Sequence, residues 1–197
     1  MDPNAGYPVY KITASATSFL WKDCKKCWHD QVKFGISRPQ IPMAKIFTAI
    51  DRQQRLFYEK KSTQLISSKL PTGEISTEEL FLKSSPLVLP GRNIGLYLTG
   101  RIDASWHDLQ QAGILDFKTS HPSDENVSLY GRQLHSYAVA SAIPVPGNVY
   151  VPYPVTHLGL AVFTPTSYYQ GASPGIYGIQ GPTEYVSIPV DFDEYIE

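Results

Sequence analysis

Cysteine is scarce. Cys24 and Cys27 are the only two in 197 residues, too few for the disulfide framework of a small secreted domain. That scarcity agrees with a reducing compartment, so a cytoplasmic location is expected. Long apolar runs are lacking too. None approaches the roughly 20 residues that cross a bilayer as a helix, and no membrane partner is expected. The segment MDPNAGYPVYKITAS has no basic start followed by an apolar stretch, so it does not read as a secretory signal. There is no internal repeat. The Gly-x-Ser-x-Gly elbow of serine hydrolases, the P-loop glycine pattern and the dinucleotide-binding fingerprint are all absent, so a serine-type hydrolase has no support in the sequence.

What is present suits one soluble globular domain spanning 1–197. The length can bury a substantial core, and 42% hydrophobic with 18% charged residues is not a disordered composition. A net charge of −1 conceals a split. Lys11 to Lys61 holds eleven Lys and Arg against four Asp and Glu, whereas Ser62 to Glu197 holds six against thirteen. A basic front half is what a phosphate-binding surface needs, and solvated helix faces would carry the same lysines.

The apolar spacing predicts a first helix over Ser15 to Phe34 and a second over about Met43 to Lys61, where Ile46, Ile50 and Phe57 recur. Residues 62–95 are rich in Ser, Pro and Gly, with a possible short strand at Leu87-Val88-Leu89. Period-two alternation then predicts a β-hairpin from Leu96 to Trp106 and Ile114 to Thr119, with His107 to Gly113 as the turn. Ser123, backed by Asp124 and Glu125, opens a helix that runs through Val127, Tyr130, Leu134 and Ala138 and ends before Pro144. A Pro-rich loop leads to an apolar strand, His157 to Phe163, followed by a Tyr/Gly/Pro-rich stretch and a weaker strand near Tyr185 to Val190. The closing DFDEYIE reads as the start of a helix. The order is that of a mixed α/β (α+β) domain around a small sheet flanked by helices.

Chemistry concentrates in the hairpin. GRIDAS places Asp103 in one strand, and ILDFKTS places Asp116 in the next with Lys118 two residues on. Period two sets Asp116 and Lys118 on one face and Leu115 and Phe117 on the other. Two carboxylates converging from antiparallel strands repel one another unless a cation lies between them. Oxygen ligands of this kind suit Mg²⁺ or Mn²⁺. Cys24-x-x-Cys27 with His29 is at most half a zinc site, and both cysteines are expected to pack on the first helix.

Gly100-x-x-Asp103, Asp116-x-Lys118 and Gln133-x-x-x-Tyr137 stand in order on strand, strand and helix. In this the chain resembles the PD-(D/E)XK nuclease superfamily, and most of all its branch of RecB-type and CRISPR-associated nucleases. The resemblance implies a restriction-endonuclease-like core. It also implies Asp103, Asp116 and the backbone carbonyl of Phe117 as metal ligands, Lys118 as catalytic lysine, and Gln133 and Tyr137 as supports for metal and substrate. An early helix supplies a further ligand in many relatives. Here Asp51 and Glu59 are available, and Glu59 is the choice. No cysteine follows Cys27, so the iron–sulfur cluster of some relatives is not expected. The implied activity is Mg²⁺- or Mn²⁺-dependent hydrolysis of phosphodiester bonds, with DNA as the expected partner. The alternative is a nucleic-acid-binding or accessory module that kept the fold without catalysis.

Overall fold

The computed structural model describes residues 6–39, 44–89, 91–119, 122–148, 150–152 and 154–193. Two sheets share one continuous chain segment. In the first, the central strand β5 (Gly95–Ile102) lies between β1 (Val9–Thr13), parallel to it, and β3 (Leu80–Lys83), antiparallel; β4 (Leu87–Val88) pairs with its beginning. In the second, the order is β11 (Thr183–Ile188), β8 (Val155–Phe163), β7 (Ala112–Lys118), β6 (Ala104–His107) and β2 (Glu74–Ser76). The β6–β7 and β8–β11 pairs are antiparallel and β7–β8 is parallel. Strands β9 (Ser167–Gln170) and β10 (Tyr177–Gln180) form a separate hairpin.

The parallel β7–β8 pair requires a crossover, which α4 (Asp124–Ala142) supplies. The Ser123 hydroxyl accepts from the Asn126 amide, and Asp124 and Glu125 sit in the first turn, where the helix dipole favours negative charge. Leu134, Tyr137 and Ala138 bury against Ile102, Ile114, Leu158, Leu160 and Val162. The opposite face of β7 packs Leu115 and Phe117 against Tyr58, Ile75 and Trp106. Six of the seven β7 residues are buried, the signature of a central strand covered on both faces.

The structure bears out the mixed α/β class and departs from the sequence reading in several elements. The first helix is broken. A π-helical turn, Ala16–Leu20, leads into a short α1 (Trp21–Asp23), Cys24 adopts an extended conformation, and α2 (Lys25–Phe34) follows. Cys24 and Cys27 do not simply pack there; they form a disulfide, and the Cys24 sulfur also accepts from the Cys27 amide as the α2 cap. The second helix, α3, spans Lys45–Tyr58, and Met43 lies outside the described residues. The strand expected from Leu96 to Trp106 is interrupted at Asp103, where the chain leaves one sheet for the other. The hairpin turn shortens to 108–111, with the Asp108 carboxylate accepting from the amides of Gln110 and Gln111. Strands β1, β2, β3, β9 and β10 have no counterpart in the sequence reading. In the final segment Phe192 and Asp193 are helical, and residues 194–197 lie outside the described residues.

Candidate functional site

Asp103 is the single residue between β5 and β6. Its flanking residues point to opposite cores, Ile102 toward α4 and Ala104 toward Trp106, so the carboxylate emerges at the seam. One oxygen, Oδ2, accepts from the Phe117 amide at 3.1 Å, and Oδ1 accepts from Arg55 Nη2 at 2.6 Å. The Asp103 side chain therefore extends the pairing of β7 one step beyond the last backbone partner, Ala104 opposite Leu115.

Asp116 lies on the α4 face of β7, with its side chain 7% exposed and ion-paired to Lys118. The Lys118 ammonium also sits 4.4 Å from the centre of the Tyr130 ring on α4, a cation–π contact. Burial raises the pKa of Asp103 to about 7, and the Asp116 charge adds to the rise; Arg55, Lys118 and the Phe117 amide oppose it. Desolvation works against the Lys118 ammonium, but the charge and hydrogen bond of Asp116 outweigh it, so the lysine is held above its ordinary value. The site thus contains two close carboxylates, with cations drawn from α3 and β7.

Gln133 and Tyr137 stand one turn apart on α4, and the Gln133 amide donates to the Tyr137 phenol at 2.7 Å. Burial pushes the Tyr137 phenol up, and the charges of Asp116 and Asp103 act in the same direction. The ring fits because residue 100 is glycine. A Cβ there would collide with the edge of the Tyr137 ring. Phe117 is fixed at both ends, its ring stacked on Tyr58 at 5.6 Å and its amide bound by Asp103.

Glu59 is not part of this constellation. It follows the last residue of α3, and its carboxylate accepts from both the amide and the hydroxyl of Thr77, which lowers its pKa. The α3 acid that feels Asp103 and Lys118 is Asp51; burial raises its pKa, and Arg55 Nε donates to it at 3.2 Å. Asp51 and Arg55 are one helical turn apart, whereas Glu59 is one turn further and already past the helix end. Sequence reasoning misses Arg55 as a site residue. Its guanidinium links Asp51, Glu79 and Asp103, and the Asp51-x-x-x-Arg55 spacing was the available signal.

The donors present fit a hard divalent cation. Burial and the Asp116 charge both disfavour an ionised Asp103, and a bound divalent cation would offset that cost. Among the described residues no group of three His, Cys, Asp or Glu stands close enough to hold a metal by side chains alone. A cation here would therefore draw on Asp103, Asp116, the Phe117 carbonyl and water. Sharing a site with water in this way is characteristic of Mg²⁺.

No protein-family model matches the chain, and no curated protein matches it. Among solved structures, SSO0001 superposes on 94% of this chain and 71% of its own, at 14% identity and a TM-score of 0.45. A likeness of that degree carries no argument about activity.

Proposed function

We propose that the chain is a divalent-metal-dependent nuclease that hydrolyses phosphodiester bonds, with DNA as substrate. One observation carries the reading: the half-buried Asp103 and the buried Asp116 lie close together at the junction of two sheets, beside Lys118 and the Gln133–Tyr137 pair. Asp103, Asp116 and the Phe117 carbonyl would hold Mg²⁺ or Mn²⁺. Such an ion, when bound, supplies charge to the phosphodiester and acidity to a water.

The chain's own groups divide the remaining work. Lys118 brings a positive charge that offsets negative charge gathering on the phosphate as the bond breaks. Tyr130 holds that ammonium from below, and Asp116 keeps it protonated. Gln133 can both donate and accept, so with Tyr137 it orients a water or a phosphate oxygen without adding charge. Phe117 and Tyr58 close the far side of β7 with stacked rings and keep solvent from that face. Calorimetry with Mn²⁺ beside a gel assay on single- and double-stranded DNA tests the reading. Metal binding with metal-dependent cleavage supports it, and a chain that binds no divalent ion sinks it.

Arg55 favours the second reading, a nucleic-acid-binding module without cleavage. Its guanidinium occupies one oxygen of Asp103, so the protein already neutralises part of the pair. Under that reading Arg55→Met raises affinity for Mn²⁺ without conferring turnover.

A further inference from the structure

A second cluster of charge and aromatic surface lies along α4 from the carboxylates. Tyr130, beneath Lys118, meets Phe19 edge to face at 5.0 Å, and Phe19 lies in the π-helical turn that runs into Trp21. Trp21, Lys22, Lys25, Glu125, Ser128, Leu129 and Arg132 surround a notch of about 390 Å³. Trp21 is 37% exposed, and its indole is braced edge-on by Trp28 at 5.1 Å. Lys25 places its ammonium 5.0 Å from the Trp21 ring centre.

Three cations and one carboxylate line this notch. The carboxylate, Glu125, is already ion-paired to Lys22. Among the described residues Lys25 and Arg132 have no carboxylate partner. Two cations without a carboxylate partner, one of them over an exposed indole, suit a ligand that offers anionic groups and flat rings in alternation. That is the chemistry of an unpaired nucleic-acid strand, in which bases stack on aromatic rings and phosphates meet Lys and Arg. The larger cavity, about 810 Å³ between α3 and the β9–β10 hairpin, has no charged residue in its lining and does not suit a phosphate chain.

We propose that this notch grips the unpaired strand flanking the scissile bond, with Lys25 and Arg132 on phosphates and Trp21 stacked against a base. The inference rests on the nuclease reading for the identity of the strand. Tyr130 and Phe19 form the connection, joining Lys118 to the π-helical turn that leads into Trp21. A strand held at both ends presents its phosphate to the carboxylates at a fixed spacing.

The test is anisotropy of a fluorescein-labelled oligothymidylate with the full chain in EDTA, over a series of salt concentrations. Trp21→Ala should weaken binding at least tenfold, and Trp21→Phe should recover most of it. Lys25→Ala with Arg132→Ala should flatten the plot of log Kd against log salt by about 1.4, or about 0.7 for each lost phosphate contact. All three positions are exposed, and unchanged circular dichroism would verify folding. Parent-like affinity and slope in every variant overturn the notch, as does polyaspartate binding as tightly as the oligonucleotide and indifferently to Trp21→Ala. Cleavage with Mg²⁺ is measured in parallel with Asp116→Asn. Notch-independent binding beside Asp116-dependent cleavage removes the notch and leaves the nuclease. Notch-dependent binding without any cleavage keeps the notch and removes the nuclease.

Discussion

Arg55 and Asp103 are joined by a 2.6 Å hydrogen bond that ties α3 to the seam between the two sheets. The pair also explains why an acid from α3 reaches the site at one position and not another. Arg55 carries Asp51 with it, one turn back along the helix, and leaves Glu59 to cap Thr77.

Glu59→Gln is therefore expected to leave Mn²⁺ affinity unchanged and to cost about 1 kcal/mol of stability, the scale of a weakened charge-assisted hydrogen bond. Asp51→Asn should lower Mn²⁺ affinity moderately through the Arg55 network. Calorimetry and thermal denaturation on both variants check this, and a reversed ranking would restore Glu59 to the site.

Metal binding should depend on both strand carboxylates. Asp103→Asn and Asp116→Asn are each expected to lose most Mn²⁺ affinity while remaining folded, since asparagine keeps the shape and an acceptor oxygen. Parent-like isotherms in both would remove the centre whatever the fold.

Lys118 compensates the buried Asp116 charge, and under the proposed function it also serves chemistry. Lys118→Ala leaves Asp116 without its ammonium, so the melting temperature in EDTA should fall, and Mn²⁺ should restore much of the loss. Cleavage in Mn²⁺ should drop by about 10²-fold or more, the usual scale for a lost electrostatic or acid–base group. Full activity in the variant would make the lysine a structural counter-ion only.

The pH dependence of stability without metal follows from Asp103. Its folded pKa is about 7, above the roughly 3.9 of an unfolded aspartate, so the folded chain holds this proton more firmly. That contribution is fully present below the unfolded value and is lost as pH rises toward 7. Asp51, also raised, acts in the same direction. In EDTA the melting temperature should decline between pH 4 and 7, less steeply in Asp103→Asn. Identical profiles for parent and variant would show that Asp103 does not carry the proton.

Much of the hairpin and α4 could be read from the chain because their signals are local. Period two in ILDFKTS, a Ser cap with two acids behind it, and a four-residue spacing from Gln133 to Tyr137 need no knowledge of distant residues. The interruption at Asp103 had no such signal. GRIDAS alternates smoothly, and the break appears only because β5 pairs with β1 and β3 while β6 pairs with β7 and β2. The place of Glu59, bonded to Thr77 and apart from Asp103, had no local signal either. Which acid on α3 faces the seam depends on where the helix ends, and Thr77 decides that from outside it. The short strands β2 and β3 lie in a Ser/Pro/Gly-rich stretch where tertiary pairing overrides weak propensity, whereas β4 falls within the expected Leu87-Val88-Leu89.

Gly100 and Tyr137 occupy one volume between them, since a methyl group on the first would lie where the ring of the second now sits. The two positions are consequently not free to vary one at a time. A larger residue at 100 becomes tolerable only after the ring at 137 has shrunk, and that first step leaves the Gln133 amide without its phenol partner. Any lineage that abandons the aromatic must therefore pass through a loosened site before it can refill the space. The order of substitutions is constrained even where the final sequence would pack well.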